Sequence, residues 1–192
     1  RRRPGVRHMS TIRRETRETR ILLTLGRPEG EAAPAGQVQT GERFLDHMLT
    51  TFARYSGLQL VVQAEGDLRH HLIEDVAIAL GLALRDEIPE SCARYGDATV
   101  VMDDALVEVA LDAGGRPYYE GPLPSGLYDH FFRSLADNAA LTLHVLVRRG
   151  RDRHHIVEAA VKALGLALRT ALAPGQAVFS TKGSVRIERE EA

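Results

Sequence analysis

An internal repeat constrains the fold of this chain more than any other feature of its sequence. Each copy has an Asp-His pair, followed by a His-His pair and by a Glu four residues after the first His of that pair. The first copy consists of Asp46-His47, His70-His71 and Glu74. The second consists of Asp129-His130, His154-His155 and Glu158. Both copies continue into Ala-Leu-Gly-Leu-Ala-Leu-Arg, at residues 79–85 and 163–169. Chance does not explain both similarities, so the sequence predicts a duplicated unit.

Hydrophobic periodicity predicts both strands and helices in this unit. Near-alternating patterns predict strands at residues 19–25, 59–64, 99–112 and 141–147, the third broken by Asp103-Asp104. Helical spacing predicts helices at residues 73–85 and 156–172. We therefore predict an α+β fold, with one domain over residues 9–192 built from repeats at about 41–98 and 124–180. Residues 1–8 are interpreted as an upstream or added tail.

Composition excludes several classes of partner. The 25 basic and 26 acidic residues leave no overall field that would attract nucleic acid or an anionic membrane surface. The longest apolar run, residues 76–84, is too short to cross a bilayer. The lone Cys92 excludes an internal disulfide and is expected to be a buried, inert thiol in a reducing cytoplasm.

The repeated histidines predict metal binding. Residues four apart share a helix face, so His70 with Glu74, and His154 with Glu158, each present an imidazole and a carboxylate together. His71 and His155 point about 100° away from their neighbours, so each His pair is expected to serve two ions. The ligand set is three imidazoles and one carboxylate for each of two metals: His47, His70, His71, Glu74, His130, His154, His155 and Glu158.

The donor atoms narrow the choice of metal without fixing it. Nitrogen and oxygen ligands without thiolate suit manganese, iron or zinc. The alternative is a buried polar cluster without metal, but clustered imidazoles would then need many separate hydrogen-bond partners. The repeat therefore favours a metal site.

Several separated motifs resemble those of the imidazoleglycerol-phosphate dehydratase family. The resemblance runs from about residue 16 to 183 and rests on Phe44-Leu45-Asp46-His47-Met48-Leu49, His70-His71 with Glu74-Asp75, Asp129-His130-Phe131-Phe132, residues 154–160, and Ser180-Thr181-Lys182-Gly183. The resemblance implies a lyase of histidine biosynthesis that dehydrates imidazoleglycerol phosphate to imidazole acetol phosphate. It also implies two manganese ions per active site, ligands from neighbouring subunits, trimers assembled into a hollow 24-subunit shell, and a left-handed βαβ crossover.

The resemblance further implies substrate contacts. These fall on Glu18, His47, Arg94, Arg116, Lys162, Ser180, Thr181 and Lys182, of which the Arg, Lys and Ser residues serve the phosphate. A metal on the substrate imidazole would lower the pKa of the ring N–H, so that loss of this proton to a base would help the adjacent hydroxyl to leave as water. The candidates for catalysis and proton transfer are Glu18, His71, Glu74, His155 and Glu158.

Two other functions stay open on the sequence alone. A dinuclear metallohydrolase would release free phosphate from a phosphoester, and a non-catalytic metal-binding shell would turn over nothing. The chain also departs from the family pattern. The segment between the predicted strand and His70 is shorter than usual, only residues 66–69, and Leu72 stands where a Thr is usual. We expect His70, His71 and Glu74 to bind metal nonetheless, with Asp67 or Asp75 supplying an outer carboxylate.

Overall fold

The two halves of the protein repeat the same order of elements. The structure, a computed structural model, describes residues 9–28 and 37–175. The first half contains β1 (Met9–Glu15), β2 (Thr19–Gly26), β3 (Val38–Gln39), α1 (Arg43–Ser56), β4 (Gln59–Gly66) and α2 (Arg69–Glu87). The second contains β5 (Tyr95–Met102), β6 (Ala105–Asp112), β7 (Tyr118–Glu120), α3 (Gly126–Ala139), β8 (Thr142–Arg149) and α4 (Arg153–Ala171). The predicted duplication and α+β class are confirmed.

Each half forms a four-stranded sheet, ordered β1-β2-β4-β3 in the first and β5-β6-β8-β7 in the second. Three strands of each sheet run antiparallel, and the short edge strand pairs in parallel with its neighbour. A helix joins each parallel pair, α1 between β3 and β4 and α3 between β7 and β8, which makes a βαβ unit. The left-handed crossover stays a prediction.

Alternation along the strands places one sheet face in the core. Ile21, Leu23 and Leu25 of β2 are fully buried, while the residues between them are partly exposed. Strand β6 repeats the pattern with Val107 and Val109. One face of each sheet therefore lies under helices, as the period of two requires.

The long helices join the two halves. Helix α2 packs on β1 and β2 of its own half and against α3 of the other, while α4 packs on β5 and β6 and against α1. The buried apolar residues of both halves form one continuous cluster. Because α2 contacts α3 and α4 contacts α1, residues from different halves lie together at these helix contacts.

The repeated glycine explains how closely these helices approach. A Cβ at Gly81 in α2 would lie 2.8 Å from Cβ of Asn138 in α3. A Cβ at Gly165 in α4 would lie 2.8 Å from Cβ of Tyr55 in α1. The repeated heptapeptide thus carries its glycine where two helix backbones come together.

Most predicted elements are confirmed within a few residues of their ends. The alternating stretch 99–112 is a hairpin, β5 and β6, that turns at Asp103 and Asp104. The helices predicted from residues 73 and 156 begin earlier, at Arg69 and Arg153, and include both His pairs. Strands β1, β3 and β7 and helices α1 and α3 were not predicted. In the described part of the chain, no helix is long and apolar enough to span a membrane.

Replacing Gly81 or Gly165 by Ala is expected to destabilise the protein. Each new methyl group would collide with a neighbouring helix, and overpacking of this kind costs about 1–3 kcal/mol. Gly126→Ala is the matched control, since a Cβ there meets nothing within 4 Å. Chemical denaturation of the metal-free variants measures the change, and equal stability of all three variants would contradict the close helix contact.

Candidate metal centre

The lone histidines of the repeat lie near the starts of helices α1 and α3. The preceding aspartates hold these starts in place by hydrogen bonds. Asp46 Oδ1 accepts hydrogen bonds from the backbone N and the hydroxyl of Thr40, at 2.9 and 2.6 Å. Asp129 Oδ1 accepts from the Tyr119 hydroxyl and the Leu123 backbone N, at 2.7 and 2.9 Å. These bonds tie each helix start to the loop before it, so His47 and His130 have fixed positions.

The first cluster consists of His47, His154 and Glu158. Glu158 Oε2 lies 3.3 Å from His47 Nε2 and 3.1 Å from His154 Nε2. The ligand atoms of all three residues lie within 4.8 Å of one another. The three side chains therefore converge on one point, as a metal site requires.

The second cluster consists of His70, Glu74 and His130. Nε2 of His70 and Nε2 of His130 each lie 3.4 Å from an oxygen of Glu74, the former from Oε2 and the latter from Oε1. These ligand atoms also lie within 4.8 Å of one another. The predicted common face of each His and Glu four residues apart is thus observed in both halves.

Each cluster combines the two halves of the chain. In the first cluster His47 comes from α1, and in the second His130 comes from α3, while each partner pair comes from the long helix of the opposite half. The packing of α1 against α4 and of α2 against α3 produces this exchange. Spacing along the chain does not reveal which His joins which pair.

His71 and His155 lie outside both clusters and have carboxylate partners of their own. Nδ1 of His71 donates to Asp67 Oδ1 at 2.9 Å, and Nδ1 of His155 donates to Asp104 Oδ1 at 2.7 Å. The hydrogen bond to the carboxylate raises the pKa of both histidines. A carboxylate at Nδ1 fixes the ring, which makes Nε2 the atom that would bind a metal, an arrangement common around metal ligands. Nε2 of His155 lies 3.4 Å from Asp103 Oδ2 in this structure.

The hydrogen bonds with His71 and His155 also change the pKa of their partners, Asp67 and Asp104. The hydrogen bond from His155, with two backbone N–H groups, lowers the pKa of Asp104 to about 2. The hydrogen bond from His71 likewise lowers the pKa of Asp67. Of the two expected outer carboxylates, Asp67 thus contacts a repeated histidine. Asp75 instead pairs with Arg14 at 2.7 Å and accepts a short hydrogen bond from Thr19.

Lys162 distinguishes the first cluster from the second. Its Nζ lies 2.9 Å from Glu158 Oε1, while the corresponding position beside Glu74 is Ile78. Burial alone would raise the pKa of Glu158, but the hydrogen bonds from Lys162 and His47 hold that pKa below its ordinary value. Lys162, expected at the substrate phosphate, therefore contacts a candidate metal ligand in this structure.

Glu18 lies beside His71 rather than in either cluster. Its Oε2 is 3.6 Å from His71 Nδ1, and its backbone carbonyl accepts a hydrogen bond from Asp67 N at 3.0 Å. The turn that carries it, between β1 and β2, lines an open cleft of about 320 Å³ together with Glu65 and Gly66. Glu18 is thus accessible from a cleft next to a candidate ligand.

Two further expected substrate residues, Arg94 and Arg116, form no hydrogen bond or ion pair with the described residues of either cluster. Arg94 binds Asp112 through two hydrogen bonds of 2.6 and 2.9 Å, and the Asp112 carboxylate raises the pKa of the guanidinium. The backbone N of Arg94 donates to Ala171 at the C-terminal end of α4. Arg116 is exposed in the loop between β6 and β7. Ser180, Thr181 and Lys182, like the tail 1–8, lie outside the described residues.

The sequence predicted a role for Asp67 beside the histidines, but not the contacts of Asp46, Asp129 and Asp104. Asp46 and Asp129 were noted only as marks of the repeat, and Asp103 and Asp104 only as a break between strands. A signal for Asp104 was present, because a hairpin turn places its side chains at the edge of a sheet. The distance to His155, 51 residues later, is a tertiary feature.

Comparison with known proteins identifies a family for this architecture. The family model described as Imidazoleglycerol-phosphate dehydratase matches residues 40–168. A protein of that name from Methanoculleus marisnigri is 45% identical, covering 92% of this chain and 98% of the relative, and one from Pyrobaculum calidifontis is 47% identical, covering 92% and 100%.

Solved structures of this family are similar to this chain in fold. The crystal structure of an IGPD from Pyrococcus furiosus in complex with (S)-C348 has a TM-score of 0.80 and 41% identity, covering 91% of this chain and all of that one. The crystal structure of the imidazoleglycerol-phosphate dehydratase from Staphylococcus aureus has a TM-score of 0.76 and 33% identity, covering 87% and 99%. The similarity therefore extends over the whole fold of those chains.

Removing the carboxylate partners of His71 and His155 is expected to weaken metal binding. Asp67→Asn and Asp104→Asn should each lower metal affinity about 10- to 100-fold, because the imidazole loses the group that orients it. The control is Asp97→Asn, an exposed aspartate on β5. Calorimetric titration of the metal-stripped variants measures the affinity, and wild-type affinity in both would contradict this role.

Proposed function

We infer that this chain, which belongs to the imidazoleglycerol-phosphate dehydratase family, carries out that family's hydro-lyase reaction with metal ions held at its two His/Glu clusters. The reaction removes water from imidazoleglycerol phosphate and gives imidazole acetol phosphate. The observation that carries the metal assignment is the recurrence of one cluster geometry in both halves of a duplicated chain. Because both clusters offer two imidazoles and one carboxylate, they favour a pair of metal ions that serve one reaction.

The donor atoms suit two manganese ions per active site. Each cluster offers two imidazoles and one carboxylate, a nitrogen and oxygen set without thiolate and with positions left for further ligands. Three imidazoles per metal would require one more from elsewhere. His71 and His155 have the right chemistry, since Asp67 and Asp104 occupy their Nδ1 atoms, so that Nε2 would bind the metal. At His155 the metal would replace a 3.4 Å contact between Nε2 and Asp103 Oδ2.

We propose that these two histidines complete the clusters of neighbouring subunits. Neither histidine belongs to a cluster of its own chain, so a second copy would supply the missing ligand. The family's assembly, trimers joined into a 24-subunit shell, would supply such copies. We also place the enzyme in the cytoplasm, in agreement with its lone, buried Cys92.

The position of Arg94 supports a site shared between chains. The arginine lies at the C-terminal end of α4, while Glu158 lies in its second turn. At 1.5 Å per residue, these positions are about 20 Å apart along the helix. The substrate's three-carbon chain is too short to reach from a metal at Glu158 to that arginine. A substrate bound at both ends would therefore contact two subunits.

The bound metals would act as Lewis acids that lower the pKa of the substrate's imidazole N–H. The chain's own residues would then hold the substrate and move protons. Glu18 is the best placed proton carrier, because it is accessible from the cleft and lies beside His71. Glu74, Glu158, His71 and His155 would serve the reaction mainly by holding the metals.

The phosphate end would be held by arginine and lysine. We assign this role to Arg94, Arg116 and Lys162 together with Ser180, Thr181 and Lys182, since guanidinium and ammonium groups pair with phosphate oxygens. Lys162 would then bind both the phosphate and Glu158, with which it forms an ion pair in this structure. A phosphoester hydrolase built on the same clusters would instead release inorganic phosphate, so product analysis separates the two activities.

Chelation is expected to dissociate the assembly as well as stop turnover. If ligands come from adjoining subunits, metal binding contributes free energy to assembly, and its loss favours a smaller species. Light scattering coupled to size-exclusion chromatography, before and after chelation and again after manganese is restored, measures the change. A particle of unchanged size without metal would refute the bridging role of His71 and His155.

Arg116→Ala is expected to weaken substrate binding without emptying the metal sites. Loss of one charge-assisted contact with phosphate should raise KM about tenfold or more. Arg54→Ala, at an exposed position near the end of α1, removes the same charge as a control. Steady-state kinetics and metal analysis check both. Loss of metal with an unchanged KM would reverse the assignment.

A further inference from the structure

Arg94 and Asp112 form a bidentate ion pair, in which two guanidinium nitrogens bind two carboxylate oxygens. Nε and Nη2 of the guanidinium donate to Oδ1 and Oδ2 of the carboxylate at 2.6 and 2.9 Å, and both side chains are largely buried, 19% and 16% exposed. Two parallel hydrogen bonds fix the plane of the guanidinium as well as its position. Nη1 forms no hydrogen bond with any residue that the structure describes.

The backbone of Arg94 is held in an unusual conformation. Its φ is 71°, a region that residues other than glycine rarely adopt. Three contacts maintain it: its N donates to Ala171 O at 2.8 Å, its carbonyl accepts from Ala113 N at 2.9 Å, and its side chain binds Asp112. A strained residue fixed from three sides points to a positional requirement.

The same ion pair shapes the turn that carries Arg116. A Cβ at Gly114 would lie 2.4 Å from Arg94 Nη2 and 2.6 Å from Asp112 Oδ1, so the backbone of the turn rests directly on the pair. Gly115 follows with a φ of 85°, and the carbonyl of Arg116 then accepts a hydrogen bond from Thr142 at 2.9 Å. The side chain of Arg116 remains exposed, without an ion-pair partner among residues 9–28 and 37–175.

We propose that Asp112 is a positioning residue for phosphate binding, which orients Arg94 and the Gly114-Gly115 turn so that Arg94 Nη1 and the Arg116 guanidinium are presented together. This inference rests on the proposed phosphate roles of those two arginines. Asp112 itself carries a negative charge and would not touch the phosphate. Its effect is to order two cationic side chains before the substrate arrives, which reduces the entropy lost on binding.

The test is the kinetics of Asp112→Asn in the metal-loaded, assembled enzyme. Loss of one charged acceptor frees the guanidinium, so KM for imidazoleglycerol phosphate should rise about tenfold while kcat and metal content stay close to wild type. The matched control is Glu108→Gln on the same strand, β6. It breaks an exposed pair in which Arg148 donates to Glu108 at 2.9 and 2.6 Å, away from the Gly114-Gly115 turn, and should leave KM unchanged.

A second variant moves the guanidinium without changing any charge. In Gly114→Ala the added methyl group displaces Arg94 Nη2, so KM should rise as in Asp112→Asn even if the latter folds poorly. Gly126→Ala controls for the substitution itself, and Asp112→Glu should restore part of the affinity. An unchanged KM in Gly114→Ala, or a fall in kcat with unchanged KM, would overturn the proposal.

Arg116→Ala separates this proposal from the one on which it rests. If Arg116→Ala raises KM and Gly114→Ala does not, the turn has no positioning role, and the phosphate assignment stands. If Arg116→Ala leaves KM unchanged, the phosphate assignment fails and takes the role of Asp112 with it.

Discussion

The close packing of α2 against α3 and of α4 against α1 is the constraint on which the rest of the structure depends. It unites two sheets into one core and requires a glycine at each crossing, Gly81 and Gly165. It also carries His47 and His130 to the His-Glu pairs of the opposite half. A duplicated unit therefore yields two equivalent clusters only because helices of opposite halves pack against each other. Neither half alone contains a complete cluster.

The histidine geometry could be predicted from the sequence wherever it depends on local periodicity. The shared face of His70 with Glu74, and the different direction of His71, follow from the helical repeat alone. The pairing of His47 with the second half does not, because it is set by helix packing between segments more than 100 residues apart. The partnership of His155 with Asp104 depends in the same way on where a hairpin turn lies.

The elements that escaped prediction have physical reasons in common. Strands β3 and β7 contain only two and three residues, too few for an alternating pattern to show. Helix α1 mixes polar with apolar residues on its buried face, where Thr51 and Ser56 lie, and its start is fixed by Glu42 and Asp46 through hydrogen bonds rather than by an apolar run. The longer strands and the helices α2 and α4, in contrast, agree with the sequence prediction, because one-sided burial leaves a clear periodic pattern in them.

The duplication has not kept the two clusters identical. Glu158 is buried beside Lys162, whereas Glu74 is one-third exposed and has Ile78 at the equivalent position. A neighbouring ammonium offsets part of the negative charge that a metal would otherwise meet, so the first cluster should bind a cation less tightly than its ligands alone suggest.

The most direct measurement is product analysis with metal-stripped protein, given imidazoleglycerol phosphate with and without manganese. The account predicts imidazole acetol phosphate, with phosphate still attached, only when manganese is present. Turnover that does not need metal would contradict the two-cluster site, and release of inorganic phosphate would contradict the dehydratase reaction.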